Sequence, residues 1–146
     1  MKIDFLASPL SADEQRVVSD GFKAHSNEHR APMYAKHPFK WLVKDDRQAL
    51  KAALTADVLW DWMYVDELWV DADWRGRGVA RALMQEAESF ARSEHLSGLW
   101  LWTQSWQAAD FYKKLGYVEF TRFENFPKGH ARIGFRKQLE CSDTDA

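Results

Sequence analysis

The stretch from residue 62 to residue 93 constrains the fold of this 146-residue chain most, because it joins a strand-like run to a helix-like run. Trp62–Val70 is rich in aromatic and β-branched residues, which is typical of a buried strand. From Gly78 to about Ser93 the pattern predicts an amphipathic helix. Its apolar face holds Val79, Leu83, Ala87, Phe90 and Ala91, and its other faces hold Arg81, Gln85, Glu86, Glu88 and Arg92.

The turn between these elements is suited to hold a phosphate. The first N–H groups of a helix lack intrahelical partners and lie at the positive end of the helix dipole, so a bound anion satisfies both. Gly76 and Gly78 allow the turn, while Arg75 and Arg77 add positive charge. The alternative is a tight turn with two solvated arginines. The spacing is R-x-x-G-x-A, which matches neither the nucleoside-triphosphate nor the dinucleotide fingerprint.

A second segment continues the alternation of strands and helices. Gly98–Thr103 predicts the next strand. Ser105–Gly116 predicts a short helix with Ser105 as its N-cap and Gly116 as its stop. Tyr117–Phe120 then returns as a strand.

Together the two segments resemble the GNAT superfamily of N-acetyltransferases. Its signature is a strand, then [QR]-x-x-G-x-[GA], a helix, a second strand, and a helix ending in F-Y-x-x-x-G-[FY]. Phe111–Tyr117 fits the last phrase at every defined position, and Arg75, Gly78 and Ala80 fit the first. The resemblance is strong over about residues 60–139 and weak over the first 60.

The resemblance implies an α/β (α+β) fold, the GNAT-like acyl-CoA N-acyltransferase fold, with a central, mostly antiparallel mixed sheet and helices on both faces. The length suits one domain, for which we take residues 1–140, followed by a polar tail over 141–146. The remaining elements are a first strand at Lys2–Ala7, a capping box Ser11–Glu14 that opens a helix, a hairpin of Phe39–Lys44 and Ala49–Thr55, and a final strand at Arg132–Gln138.

Composition excludes several classes of protein. The net charge of −2 gives no broad basic surface for nucleic acid. The apolar stretches are too short to span a bilayer, and Lys2 and Asp4 do not suit a signal peptide. Cys141 is a single cysteine, so no internal disulfide forms. We expect a cytoplasmic protein without nucleic-acid or membrane partners, and the sequence leaves a homodimer open.

For the cofactor site, the resemblance implies acetyl-CoA as co-substrate and no metal. Backbone groups of Leu68, Trp69 and Val70 would hold the pantetheine arm and polarise the thioester carbonyl. The pyrophosphate would bind the loop N–H groups of Arg75, Gly76, Arg77, Gly78, Val79 and Ala80. Many members carry an Asn that bonds the pantetheine arm three residues before the Ala of the second motif. This chain has the shorter Ser105 there.

For the chemistry, the second motif places Tyr112 to donate its phenolic proton to the leaving sulfur; the alternative is a core aromatic on an apolar helix stripe. Asp66 and Glu67 in the central strand are candidate bases. Neighbouring residues on a strand face opposite ways, so at most one of them is expected to face the site. We favour Glu67, and for either residue a solvated edge or a structural salt bridge is the alternative.

The acceptor side is less defined. His130 lies in a Pro-Gly loop between the last two strands, a loop that borders the acceptor pocket in this superfamily, and Trp62 is a second candidate for substrate contact. Five tryptophans near the predicted site in sequence are candidates for the wall of an apolar or aromatic pocket: Trp60, Trp62, Trp69, Trp102 and Trp106. The other histidines lack the spacing of metal ligands.

The sequence therefore predicts an acetyl-CoA-dependent N-acetyltransferase that acetylates a primary amine of a small molecule or peptide by direct attack. A non-catalytic sensor module that binds acyl-CoA is the alternative. Tyr112 and a strand carboxylate favour the enzyme, because a sensor needs neither. A nucleotide-binding regulator is disfavoured, since the sequence has no adenine or magnesium signature.

Overall fold

The structure is a computed structural model that describes residues 1–140. The predicted polar tail 141–146, with Cys141, lies outside the described residues. The chain divides into two compact units, Met1–Ala35 and Lys36–Ala146, and each is described by itself. The single domain over residues 1–140 stays a prediction. None of the helices in the described part of the chain has the length and apolarity needed to cross a bilayer.

The first unit contains helix α1, Ala12–Glu28, which begins at the predicted capping box. Ser11 Oγ accepts a hydrogen bond from the Glu14 N–H at 3.2 Å, and the Glu14 carboxylate accepts one from the Ser11 N–H at 2.7 Å. The predicted strand at Lys2–Ala7 is wrong, because no strand forms there. Alternating residues alone do not make a strand, because the backbone groups of a strand need a neighbouring strand to pair with.

The second unit is built on one six-stranded sheet with the order β1-β2-β3-β4-β6-β5. Only the β3–β4 pair is parallel, so the mixed, mostly antiparallel sheet is confirmed. The predicted hairpin forms between β1 and β2, and each strand is longer than predicted. The strands are β1 Lys36–Lys44, β2 Leu50–Leu59, β3 Trp62–Val70, β4 Gly98–Gln104, β5 Val118–Glu124 and β6 Ala131–Gln138.

Two helices pack on one face of this sheet, which we call the inner face. A short 3-10 turn at Ala72–Trp74 leads into α2, Val79–Ser93, and α3 spans Ala109–Lys114. The predicted order of strand, helix, strand and helix is confirmed. Inner-face side chains of the core include Leu54, Met63, Val65, Leu99, Leu101 and Phe135, and they pack with Leu83, Met84, Ala87 and Ala91 of α2. The opposite, outer face carries Tyr64, Trp100, Trp102 and Phe120.

The start of α3 differs from the prediction. The helix begins at Ala109 with Ala108 as N-cap and no side-chain cap, so the assignment of Ser105 as N-cap is wrong. Ser105 Oγ instead accepts a hydrogen bond from the Ala131 N–H at 3.1 Å, and the Ser105 N–H donates to the Ala131 carbonyl at 2.8 Å. The Ser105 hydroxyl is therefore bonded to the first residue of β6. Gly116, with a φ of 89°, follows the end of the helix as predicted.

Glu88 of α2 also differs from the prediction. The sequence pattern puts this residue on a polar face of the helix, but it is only 5% exposed. Its carboxylate accepts hydrogen bonds from Tyr117 Oη at 3.2 Å and from Lys137 Nζ at 2.9 Å. Lys137 Nζ also donates to the Leu115 carbonyl at 2.8 Å. Partners from distant parts of the chain offset the cost of burying this charge, and they join α2 to the end of α3.

Candidate active site

A cleft opens in the middle of the sheet where β3 and β4 separate. The two strands pair from Trp62 opposite Gly98 to Val65 opposite Leu101, and both continue further without pairing to each other. On its other side β3 stays paired with β2 up to Val70. The predicted pantetheine contacts, Leu68, Trp69 and Val70, thus line one edge of the cleft. Such an open strand edge offers backbone N–H and C=O groups to an extended ligand.

A β-bulge lies at the point of separation. Ala56 of β2 pairs with Val65, and Thr55 pairs with Glu67, so Asp66 is an extra residue in β3. A bulge bends its strand, which accounts for the departure of β3 from β4 at this position. The bulge also changes the side-chain alternation. Asp66 is two residues after Tyr64 and lies on the same outer face, and Glu67, which is opposite Thr55, lies on that face as well.

Both carboxylates consequently line one groove of about 480 Å³ on the outer face. The expectation that Asp66 and Glu67 face opposite ways is wrong, because the alternation rule holds only for a regular strand. Glu67 Oε2 accepts a hydrogen bond from Thr55 Oγ1 at 3.3 Å. We call this the carboxylate groove; its lining is Pro38, Phe39, Lys40, Thr55, Ala56, Asp57, Asp66 and Glu67.

Tyr64 interacts with Asp66 of the groove and with Arg132, and sequence reasoning found neither Tyr64 nor Arg132. Burial and then the charge of Asp66 raise the pKa of Tyr64, while Arg132 opposes this shift. The Arg132 guanidinium lies 4.8 Å from the centre of the Trp102 ring. The alternation of β3 and β6 placed both side chains on one face, but only the register between the strands brought them together.

The loop before α2 has the predicted form of an anion site. Gly76 and Gly78 have φ values of 74° and 78°. A Cβ at either position would meet no atom within 4 Å, so the backbone conformation, and not crowding, favours glycine. Gly78 is the N-cap without a side-chain cap, and the Ala82 N–H is the donor to its carbonyl at 3.0 Å. The preceding N–H groups of the first turn therefore have no helical acceptor, and that turn holds no acidic residue.

The two arginines of this loop are held in place. Arg75 Nε donates a hydrogen bond to the Val70 carbonyl at 3.2 Å, which brings the loop against the end of β3. The Arg77 guanidinium lies 5.2 Å from the centre of the Trp74 ring. The loop and the open edge of β3 thus adjoin at Val70. The sequence predicts them as two parts of one cofactor site.

Tyr112 lies on the inner face and is 7% exposed. Its ring is 6.1 Å from that of Phe135, whose β4 partner is Leu101, the last residue paired with β3. Tyr112 is therefore near the start of the cleft, on the face opposite the two carboxylates. Burial raises its pKa to about 12, so the phenol stays protonated at neutral pH. These contacts suit both a proton donor and the packing alternative.

The other predicted residues are spread over the sheet. Ser105 follows the end of β4, beside the far end of the cleft. His130 ends the loop before β6, and its ring lies 4.7 Å from that of Trp106. Trp62 is at the opposite end of β3, where it lines a second groove with Trp100. The structure does not bring Trp62 and His130 together.

Comparisons with known proteins bear on the family and the fold of this chain. A family model described as the acetyltransferase (GNAT) family matches residues 10–117. Blasticidin-S acetyltransferase of Streptomyces morookaense is 38% identical over 85 residues, which cover 58% of this chain and 62% of that protein. The match thus spans less than two thirds of that relative's length.

Solved structures share the fold. The crystal structure of an acetyltransferase from Bacillus cereus has a TM-score of 0.79 at 25% identity and covers 92% of this chain and 98% of its own. A structure described as a streptothricin acetyltransferase from Bacillus anthracis, in complex with acetyl coenzyme A, has a TM-score of 0.63 at 20% identity. It covers 70% of this chain and 62% of its own, and shows likeness of fold alone.

Proposed function

Because this chain belongs to the acetyltransferase (GNAT) family, we propose that it transfers the acetyl group of acetyl-CoA to a primary amine of a small molecule or peptide. The observation that carries the proposal is the cleft between β3 and β4, which opens beside the unpaired N–H groups of α2. The name of the Streptomyces protein favours a small molecule over a peptide.

The residues of the cleft fit acetyl-CoA. Leu68, Trp69 and Val70 lie in the part of β3 that is not paired with β4 and can meet the pantetheine arm there, although the Val70 carbonyl already accepts a hydrogen bond from Arg75. The loop from Arg75 to Ala80 presents N–H groups and two cations to the pyrophosphate. The open space around Gly76 and Gly78 lets a phosphate approach the backbone. Ser105, already bonded to Ala131, is the weakest member of the predicted cofactor set.

The activated group that the co-substrate supplies is an acetyl thioester. A neutral amine attacks its carbonyl carbon from the outer face, a C–N bond forms and the C–S bond breaks. Glu67, or Asp66 in its place, takes the proton that the amine loses. Backbone N–H groups of β3 stabilise the developing oxyanion. Tyr112 donates its phenolic proton to the departing thiolate from the inner face. Base and acid thus act from opposite sides of the cleft.

The alternative, a sensor that binds acyl-CoA without turnover, would use the loop and the strand edge alone. The carboxylate groove favours the enzyme, because it gives an amine a place to bind on the side of the cleft away from Tyr112. A metal has no part in this proposal.

The test is release of the coenzyme A thiol in the presence of acetyl-CoA and a panel of polyamines, aminoglycosides, amino acids, peptides and blasticidin S. Calorimetry with acetyl-CoA is the companion measurement. We expect saturable binding of acetyl-CoA and turnover of at least one amine. Binding without turnover of any amine would favour the sensor, and absence of binding would contradict both functions.

A further inference from the structure

A second groove lies on the outer face of the same sheet. It has a volume of about 280 Å³ and is lined by Trp62, Trp100, Phe120 and Arg136. We call it the aromatic groove. Three flat rings and one guanidinium form the entire lining, and no carboxylate takes part. The proposed reaction does not use these residues.

Phe120 has its position because of two features of the backbone. The pairing of β5 with β6 shifts between Glu119 and Thr121, so Phe120 is the extra residue of a bulge. Opposite it, β6 has Gly134, where an added Cβ would lie 3.0 Å from Phe120 Cζ and 2.6 Å from Thr121 Cγ2. Without a side chain at Gly134, the Phe120 ring covers β6 and approaches Trp100 to 6.4 Å between centroids.

Arg136 supplies the charge of this groove. Its guanidinium carbon lies 5.8 Å from the centre of the Phe120 ring. None of the ion pairs found within residues 1–140 includes Arg136. The side chain is exposed, and its planar fork suits a carboxylate or another planar anion.

The two grooves are neighbours on one row of paired residues. Asp57 of the carboxylate groove pairs with Tyr64, Tyr64 with Trp100, and Trp100 with Arg136 of the aromatic groove. The Tyr64 ring lies between the grooves, 4.5 Å from the Trp100 ring of the aromatic groove. Asp57 and Arg136 are three strand spacings apart, and since adjacent strands are ~4.8 Å apart, these two residues are separated by roughly 14 Å.

We propose that the aromatic groove binds the far end of the acceptor, and that this end is a flat ring carrying an anionic group roughly 14 Å from the reacting amine. This inference rests on the proposed function. The amine belongs in the carboxylate groove, because like charge keeps an ammonium away from Arg136. The ring stacks on Trp100 and Phe120, and the anion pairs with Arg136.

The experiment compares three acceptors of rising complexity: butylamine, a primary alkylamine ending in a benzamide, and its counterpart ending in a benzoate. We expect kcat/KM to increase in that order, with the benzoate about tenfold above the benzamide, the factor that ~1.4 kcal/mol represents. Arg136→Met should abolish the benzoate preference and leave butylamine turnover and acetyl-CoA affinity unchanged. Gln138→Met, two residues along the same strand and outside the groove, is the matched control.

Quenching of tryptophan fluorescence by the benzoate compound gives a second readout that does not need turnover. Turnover of all three amines at similar kcat/KM would overturn this inference and leave the proposed function standing. Loss of the preference in Gln138→Met as well would also overturn it. Saturable quenching that Arg136→Met removes, without turnover of any amine, would overturn the proposed function and support the groove as a ligand site.

Discussion

The anion loop before α2 and the carboxylate groove beside β3 differ in what makes them. The loop is built from consecutive residues, and its features are the φ values of Gly76 and Gly78 and the free N–H groups of a helix start. The groove is built from three strands, and it exists because a bulge turns Asp66 and Glu67 to the same face. A binding site made by local backbone geometry is visible in a sequence motif, whereas one made by strand register is not.

The largest effect is expected from a change in the packing of α2, the helix that follows the anion loop. Leu83 is buried under the inner face, so Leu83→Ala should lower the free energy of unfolding by ~2–5 kcal/mol. Because the loop is local, the folded variant should keep its acetyl-CoA affinity. Chemical denaturation and calorimetry measure the two quantities. The control is Gln85→Ala on the exposed side of α2, expected to change stability by less than ~0.5 kcal/mol. Equal losses in both variants would contradict the assignment of the buried face.

Removing the charges of the carboxylate groove one at a time tests whether one of its carboxylates acts as the base. Glu67→Gln should lower kcat by about 10² or more, because it removes the proposed base, whose carboxylate accepts a hydrogen bond from the Thr55 hydroxyl, while Asp66→Asn should have a smaller effect. Steady-state rates with a good acceptor give the comparison. Asp57→Asn removes a carboxylate from the same groove and is the control. If it lowers kcat equally, the groove acts through its total charge and not through a base.

Tyr112→Phe tests the proposed proton donor on the inner face of the cleft. The ring and its packing remain, so kcat should decrease by about 10² while acetyl-CoA affinity changes little. Burial raises the pKa of this phenol to about 12, and its protonated form is therefore the donor. Loss of activity through its ionisation is expected only as the pH approaches 12, so wild type and variant should share one profile shape between neutral pH and about pH 10. Wild-type turnover in the variant would make Tyr112 a packing residue.

The smallest effect comes from a matched pair at the loop. Asn and Asp tolerate a positive φ better than other side chains, so Gly78→Asn and Gly78→Asp place similar strain at the N-cap and differ in charge. Gly78→Asp should weaken acetyl-CoA binding at least tenfold relative to Gly78→Asn, or ~1.4 kcal/mol, by repelling the pyrophosphate. Calorimetry on both variants measures this. Equal affinities would contradict the binding of the pyrophosphate at the start of α2.

Sequence alone determined the elements whose signals are local. The capping box at Ser11, the strand Trp62–Val70, the start of α2 at Gly78 and its buried Leu83 were all predicted, because capping, turn and periodicity depend on neighbours within a few residues. The family resemblance was local too, since both motifs lie in short segments around turns.

Tertiary structure decided everything that depends on partners distant in sequence. Glu88 is buried because Tyr117 and Lys137 reach it, and Ser105 is no helix cap because Ala131 occupies it. The bulge at Asp66 follows from the register of β2 against β3. Hydrogen bonds and charges are satisfied by whichever group the fold brings near, so their partners follow from the packed sheet and not from spacing along the chain.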